Sequence, residues 1–98
     1  GVKAFDLQHQ KLIAVWNLKA IQGVMVMKKD DHRVYILDMN HDVWAINPLH
    51  GHVVWHRKIN SSLISHMVVT TGYILLKEKN HWIYLNKESG QIAPVFSH

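Results

Sequence analysis

The chain has 98 residues, of which 48% are hydrophobic, and a formal net charge of +4. This length suits one small domain, and the apolar content excludes a disordered or low-complexity chain. The absence of cysteine excludes disulfides, thiolate zinc sites and a cysteine nucleophile. The scattered basic residues form no nucleic-acid-binding arm, and no apolar run reaches the ~20 residues of a membrane-spanning helix.

Alternation of apolar and polar residues predicts an all-β chain. Turn-forming pairs such as Asp30-Asp31 and Thr71-Gly72 separate short runs rich in β-branched and aromatic residues. Only residues 11–22 have a spacing that also fits a helix, and we favour a strand there. We predict ten strands, at residues 2–7, 11–18, 24–28, 33–39, 43–47, 52–59, 66–70, 73–77, 81–86 and 91–96.

One pattern occurs three times along the chain. Its clearest copy is a strand at 43–47, a turn ending in Gly51 and a strand beginning at His52. It recurs later around Gly90 and earlier around Asp6, and the offset between the two glycine turns also aligns residues 35–37 with 74–76. A repeat of about 40 residues made of short strands predicts a β-propeller built of antiparallel four-stranded blades.

The predicted strands group into half a blade at residues 1–22, a blade at 23–60 and a blade at 61–98. Propellers have about four to eight blades, so we expect residues 1–98 to be a partial propeller. A strand is predicted from the second residue onward, as expected of a trimmed segment or a cleavage scar.

The repeated positions have clear structural uses. Ala45 is small enough for a neighbouring blade to approach closely, and Asn47 can bond the backbone of the following turn. Gly51, and Gly90 in the last copy, supply a positive φ. Trp55 offers a large apolar face and one N–H for docking between blades. We therefore interpret these residues as structural rather than ligand-binding.

The segment from Ala45 to Trp55 resembles the repeat of the pyrroloquinoline-quinone-type (PQQ-like) β-propeller family, which reads aromatic–Ala–Leu–Asp–x–x–Thr–Gly–x–x–x–Trp. Residues 33–36 look like the second strand of that blade. The last copy has Ser89-Gly90 in the Thr-Gly position but Pro94 in place of the Trp, and in the first copy Trp16 is displaced by two residues. The resemblance implies a degenerate, structural propeller.

Histidine is abundant, with nine residues. In a regular strand His52 and His56 share one face, and His50 lies in the adjoining turn. These three are weak candidates for a zinc site, which needs three or four ligands. We favour solvated turn histidines and assign no metal, while a pH-sensing role stays open.

Catalysis is not indicated by the remaining residues. The carboxylates have no spacing typical of an acid–base pair, and Ser61, Ser62, Ser65 and His66 lie near one another without a nucleophile elbow. The glycines form no phosphate loop. Quinone-binding members of the resembled family need calcium-ligand and catalytic carboxylates that we cannot match here. We therefore predict no enzyme activity and no cofactor.

Asn60-Ser61-Ser62 is an N-glycosylation sequon in a predicted surface loop, although one such triplet is expected by chance. If Asn60 is modified, the chain enters a secretory lumen. For the compartment we lean towards a secretory lumen or the periplasm.

Three functions are consistent with the sequence. The favoured one is a non-catalytic protein-interaction or sensor scaffold, similar to lumenal stress-sensor or outer-membrane-assembly propellers. Its partners are another protein, further blades or a second copy paired through sheet edges, with no nucleic acid and no membrane span. The alternatives are a piece of a quinoprotein oxidoreductase and a small β domain that binds nucleic acid through Arg33, Arg57 and Lys58.

Overall fold

The computed structural model describes residues 18, 20–61 and 64–93, and every regular element in this part is a β-strand. The all-β class predicted from the sequence is therefore confirmed. Predicted strands 2–7 and 11–18 lie outside the described residues apart from Leu18. Of the predicted strand at residues 91–96, the structure describes residues 91–93, where Ile92 forms an isolated antiparallel β-bridge with Leu85. The strands are β1 Val24–Lys29, β2 Val34–Asp38, β3 Asp42–Asn47, β4 His52–Lys58, β5 Ile64–Val69, β6 Tyr73–Glu78 and β7 His81–Asn86.

The strands form two antiparallel sheets in which each strand pairs with its neighbour in sequence. The first sheet has the order β1-β2-β3-β4 and the second has the order β5-β6-β7. Strand β1 of the first sheet contacts β5 of the second. Within the described residues, no helix exists that is long and apolar enough to cross a membrane.

One hydrophobic core joins the two sheets. The first sheet contributes alternate residues, so that one face of β2 and β3 points towards the second sheet. The second sheet contributes Met67, Ile74, Leu76 and Leu85 in the same way. The residues from the first sheet are Tyr35, Leu37, Val43, Ala45 and Trp55.

The opposite face of the first sheet is also buried. Ile36, Trp44 and Ile46 pack there against Leu18 and Ile21, which precede β1. Strands β2 and β3 are therefore covered on both faces, which explains why they are almost continuously apolar.

The two sheets share detailed geometry. A β-bulge interrupts β1 at Met25 and β5 at Ser65, which are the same place in each sheet. After β3 and β7, the N–H groups of Gly51 and Gly90 each donate to the carbonyl of the asparagine that ends the strand, both at 2.7 Å. The side chains of Asn47 and Asn86 accept the backbone N–H two residues on, both at 2.9 Å.

The repeat offset is not uniform, which corrects one alignment made from the sequence. In the first sheet Ile36 pairs with Trp44. If the separation between Gly51 and Gly90 applied to every position of the repeat, Leu75 would pair with Ile83 in the second sheet. The structure instead pairs Leu76 with Ile83. In the first sheet, residues 38–42 separate the paired residues Leu37 and Val43. In the second sheet, only residues 78–81 separate the equivalent pair, Lys77 and Trp82. The second hairpin is one residue shorter, so the offset is one residue larger before it than after it.

The glycine of the second turn gives a sharp test of this geometry. Gly90 has φ 74°, and a Cβ added there would overlap the Trp55 indole. Gly90→Ala should lower the free energy of unfolding by about 2–5 kcal/mol, through left-handed strain and overpacking. Urea unfolding would measure the change.

Gly72→Ala is the matched control, because no atom lies within 4 Å of its added Cβ. This variant should change stability by less than about 0.5 kcal/mol. Equal effects of the two substitutions would contradict the close contact between Gly90 and Trp55.

Candidate functional site

The turn that follows β7 is clamped by side chains of the first sheet. The Trp55 indole N–H donates to the Lys87 carbonyl at 2.9 Å, and Arg57 Nε donates to the Gly90 carbonyl at 2.7 Å. Arg33 donates to the Lys87 carbonyl at 3.1 Å and lies 3.4 Å from the Glu88 carboxylate. Carbonyls left open by the turn are thus satisfied by the other sheet.

An ion pair lies beside this clamp. Lys87 Nζ contacts Asp30 Oδ2 at 2.7 Å and donates to the Thr70 carbonyl at 2.9 Å. The Tyr35 hydroxyl donates to the same carboxylate oxygen at 3.1 Å. The side chains of Lys87 and Asp30 are only 13% and 19% exposed, so the pair is partly shielded from solvent.

This environment shifts two pKa values. Burial raises the pKa of the Asp30 carboxyl, but hydrogen bonds from Lys87 and from the backbone N–H groups of His32 and Arg33 outweigh it, leaving the pKa well below its usual range. Burial and the hydrogen bond to Asp30 raise the pKa of Tyr35 well above its usual range. The Asp30 carboxylate is therefore held charged and Tyr35 protonated, as a structural contact requires.

Between the turns of the two sheets lies an open groove of about 540 Å³, lined by residues that include Asp30, Thr70, Lys87 and Glu88. The contacts just described already pair its central charges. Sequence reasoning missed this cluster, because Asp30 and Lys87 belong to separate sheets and no local motif links them. The groove is best understood as the polar border of the sheet–sheet contact.

The repeat residues lie either in the shared core or in the turns that follow β3 and β7. Ala45 and Trp55 are buried in the shared core, where the Trp55 ring lies 6.4 Å from that of Tyr35. Asn47 and Gly51 form the turn after β3, and Gly51 has φ 69°.

The three histidine candidates do not converge on one site, and the predicted common face of His52 and His56 is wrong. Ala45 pairs with Trp55 but Ile46 pairs with Val53, so Val54 is an extra residue in β4. This bulge reverses the alternation and puts His52 and His56 on opposite faces. Among the described residues, no group of three His, Cys, Asp or Glu side chains could hold a metal ion.

Each histidine has another contact. The His56 ring stacks on Trp44 with centroids 3.9 Å apart, and its Nε2 lies 3.2 Å from Asp42 Oδ2. His50 and His52 stack on each other at 5.5 Å in the turn.

The serine–histidine neighbours give an exposed contact without an orienting acid. Ser65 Oγ lies 2.9 Å from His66 Nδ1. Within the part of the chain that the structure describes, no carboxylate bonds His66. An activated serine needs such a group to fix the histidine tautomer. We therefore interpret the Ser65–His66 contact as a local hydrogen bond at the β-bulge of β5.

The face of the second sheet directed away from the shared core, hereafter the outer face, is not covered by described residues. Val68, Tyr73 and Tyr84 on it are 43%, 42% and 41% exposed. The Tyr73 and Tyr84 rings meet edge to face at 6.0 Å, and Lys77 Nζ lies 5.8 Å from the Trp82 ring centroid. The outer face comprises His66, Val68, Tyr73, Leu75, Lys77, Trp82 and Tyr84.

Asn60 is exposed in the connection between the two sheets. The Ser61 N–H donates to the Ile59 carbonyl at 2.8 Å, so Asn60 is the central residue of a three-residue turn. Ile59 is buried and anchors this turn. Hydrogen bonds from Ser61 and then His81 lower the pKa of Glu78, so that carboxylate ties the connection to β6.

No protein-family model matches the chain, and no curated protein matches it. Its assignment therefore depends on the geometry described above.

Removing the Asp30 charge should destabilise the sheet–sheet contact. Asp30→Asn leaves the partly buried Lys87 ammonium without its partner and should cost about 1–3 kcal/mol in urea unfolding at neutral pH. Asp31→Asn is the control, since the neighbouring Asp31 side chain is exposed. A similar loss in both variants would argue against the ion pair.

The same variant should change the pH dependence of stability. The pKa of Asp30 is lower in the folded chain than in the unfolded chain, so its stabilisation is present above the unfolded pKa of about 3.9 and is lost as pH falls towards the folded value. The wild-type chain should therefore lose more stability between neutral and acidic pH than Asp30→Asn does.

Passage through a secretory lumen should attach a glycan to Asn60, because Asn60 lies in an exposed turn. The full chain behind a secretory leader should show a mobility shift that peptide-N-glycosidase removes. Asn60→Gln and Ser62→Ala should abolish the shift, whereas Ser61→Ala should keep it. A shift that survives in Asn60→Gln would place the modification elsewhere.

Proposed function

We propose that this chain is part of a PQQ-like β-propeller that acts as a non-catalytic protein-interaction scaffold. The observation that carries the proposal is the repeated unit. Two successive sheets share strand register, a bulge at equivalent positions and the same asparagine–glycine turn. Such repetition of short antiparallel sheets is typical of propeller blades.

The packing of the sheets supports the same proposal. In a propeller the first strands of adjacent blades lie next to each other around the central axis. Here β1 and β5 contact each other, and the shared core joins one face of each sheet. Leu18 and Ile21 cover the other face of the first sheet at the place where a preceding blade would pack.

The use of charged residues favours a scaffold over an enzyme. Asp30 links the turns of the two sheets through Lys87, and the exposed Glu88 carboxylate lies 3.4 Å from Arg33. Asp38 is fully buried and accepts hydrogen bonds from the Trp44 indole and from the backbone of Asn40 and Asp42. These carboxylates maintain hairpins and contacts, so they are not poised for acid–base chemistry.

The interaction role rests on the surface that the described residues, 18, 20–61 and 64–93, leave uncovered. Strand β4 is an edge strand with exposed Val53 and Val54, and the outer face exposes aromatic side chains. An open edge offers backbone groups for strand addition. The proposed partners are further blades, another protein or a second copy, in a secretory lumen or the periplasm, as in sensor or outer-membrane-assembly propellers.

The oligomeric state of the isolated 98-residue chain tests this proposal. Open edges and uncovered apolar surface should make it dimeric or larger in sedimentation velocity at all but the lowest concentrations. Val53→Lys places a charge on the edge strand and should weaken this self-association. Leu49→Lys is the control, because Leu49 is equally apolar but lies in an exposed turn. A monomer at every concentration with a cooperative thermal transition would contradict the proposal.

A further inference from the structure

The outer face occupies the same position in the repeat as the face of the first sheet that packs in the shared core. The repeat offset that applies before the second hairpin matches Leu37 with Lys77. The offset that applies after it, which is one residue smaller, matches Val43 with Trp82 and Ala45 with Tyr84. Val26, which packs against that core, is matched by His66. Side chains that admit a closely packed sheet in the first case are thus replaced by large or charged ones in the second.

These replacements disfavour another sheet in the same close contact on this face, so further blades of the proposed propeller would adjoin the first sheet. Tyr84 fills the space that Ala45 leaves open for the neighbouring sheet. A sheet packed against Lys77 would also remove an ammonium group from water, which is costly unless that sheet supplies a partner for it. The outer face is therefore suited to an occupant with acceptor groups of its own.

The charge on the outer face indicates the chemistry of that occupant. Lys77 bonds no carboxylate among the described residues, and its ammonium lies over the Trp82 ring. His66 is next to it across the sheet, because it pairs with Lys77. No carboxylate is among the residues that form this face. Aliphatic Val68 and Leu75 lie alongside, bordered by Tyr84, so the face combines one basic side with an apolar side.

The size of the face narrows the choice further. Three strands with a spacing of about 4.8 Å, each five residues long with a rise of about 3.3 Å per residue, give a face of roughly 14 Å by 17 Å, or about 240 Å². A stable protein–protein interface buries about 800 Å² on each partner, so the outer face alone is too small to hold a dimer. Single-stranded nucleic acid needs a basic groove along its backbone, whereas Lys77 and His66 are the only basic side chains that the described part of the chain places on this face.

We propose that the outer face binds a short acidic segment of a partner protein. A carboxylate of the segment would lie beside Lys77 and His66, and its apolar side chains would cover Val68 and Leu75 next to Tyr84. This inference rests on the proposed interaction role and adds the class of partner to it.

Binding of two synthetic peptides to the 98-residue chain tests the inference. The first is a short peptide that alternates Asp with Leu, and the second has Lys in place of every Asp. By fluorescence polarisation the acidic peptide should bind at least about tenfold more tightly, with an affinity that falls as salt is raised. Equal affinities, or no binding of the acidic peptide, would overturn the inference.

Variants locate the site on the sheet. Lys77→Glu should lower the affinity for the acidic peptide by about tenfold and raise the affinity for the basic peptide. Lys77→Gln should lower the affinity for the acidic peptide by an intermediate amount. Lys79→Glu makes the same charge change in the adjoining turn and should have little effect. Tyr84→Ala should reduce binding of the acidic peptide several-fold. An unchanged affinity in Lys77→Glu and Lys77→Gln would overturn the proposed site.

Two further outcomes separate this inference from the proposed function. Tighter binding of a thymidine oligonucleotide than of the acidic peptide would overturn the peptide assignment in favour of nucleic acid. Loss of peptide binding with retained self-association would overturn the acidic-segment inference alone. If the chain binds the peptide but is monomeric at every concentration, the result would support the outer-face site and contradict the proposed scaffold.

Discussion

Contact between the Trp55 indole and the backbone of Gly90 fixes how the two sheets meet. The indole lies where any side chain on Gly90 would have to go, and its N–H bonds the Lys87 carbonyl earlier in the same turn. The turn can therefore lie flat on the first sheet only because it ends in glycine. Around it, Arg57, Arg33 and the Asp30–Lys87 pair complete the polar border of the shared core.

The strands were predictable because their determinants are local. Alternating apolar residues and Asp, Asn and Gly pairs mark the seven described strands to within two residues at each end. The turn residues Asn47, Gly51 and Gly90 were predictable for the same reason, since positive φ strongly favours glycine. The assignment of the whole as propeller blades stays a prediction.

The bulges and the long-range contacts were not predictable. A bulge adds one residue to a strand without a distinctive side chain, so nothing at Val54 marked the reversal that separates His52 from His56. In the same way, no residue marked the shorter hairpin before β7, so the sequence predicted one repeat offset where the structure has two. The ion pair between Asp30 and Lys87 depends on how the two sheets pack, which local patterns do not encode.

The pairing of every strand with its sequence neighbour also bears on how the chain folds. Hairpins between neighbouring strands close short loops and form quickly, whereas contacts between distant segments are delayed by the entropy of closing longer ones. The contact between Trp55 and Gly90 is of the second kind. Each sheet can thus assemble before the two dock, and the docking contact chiefly controls how slowly the finished structure opens.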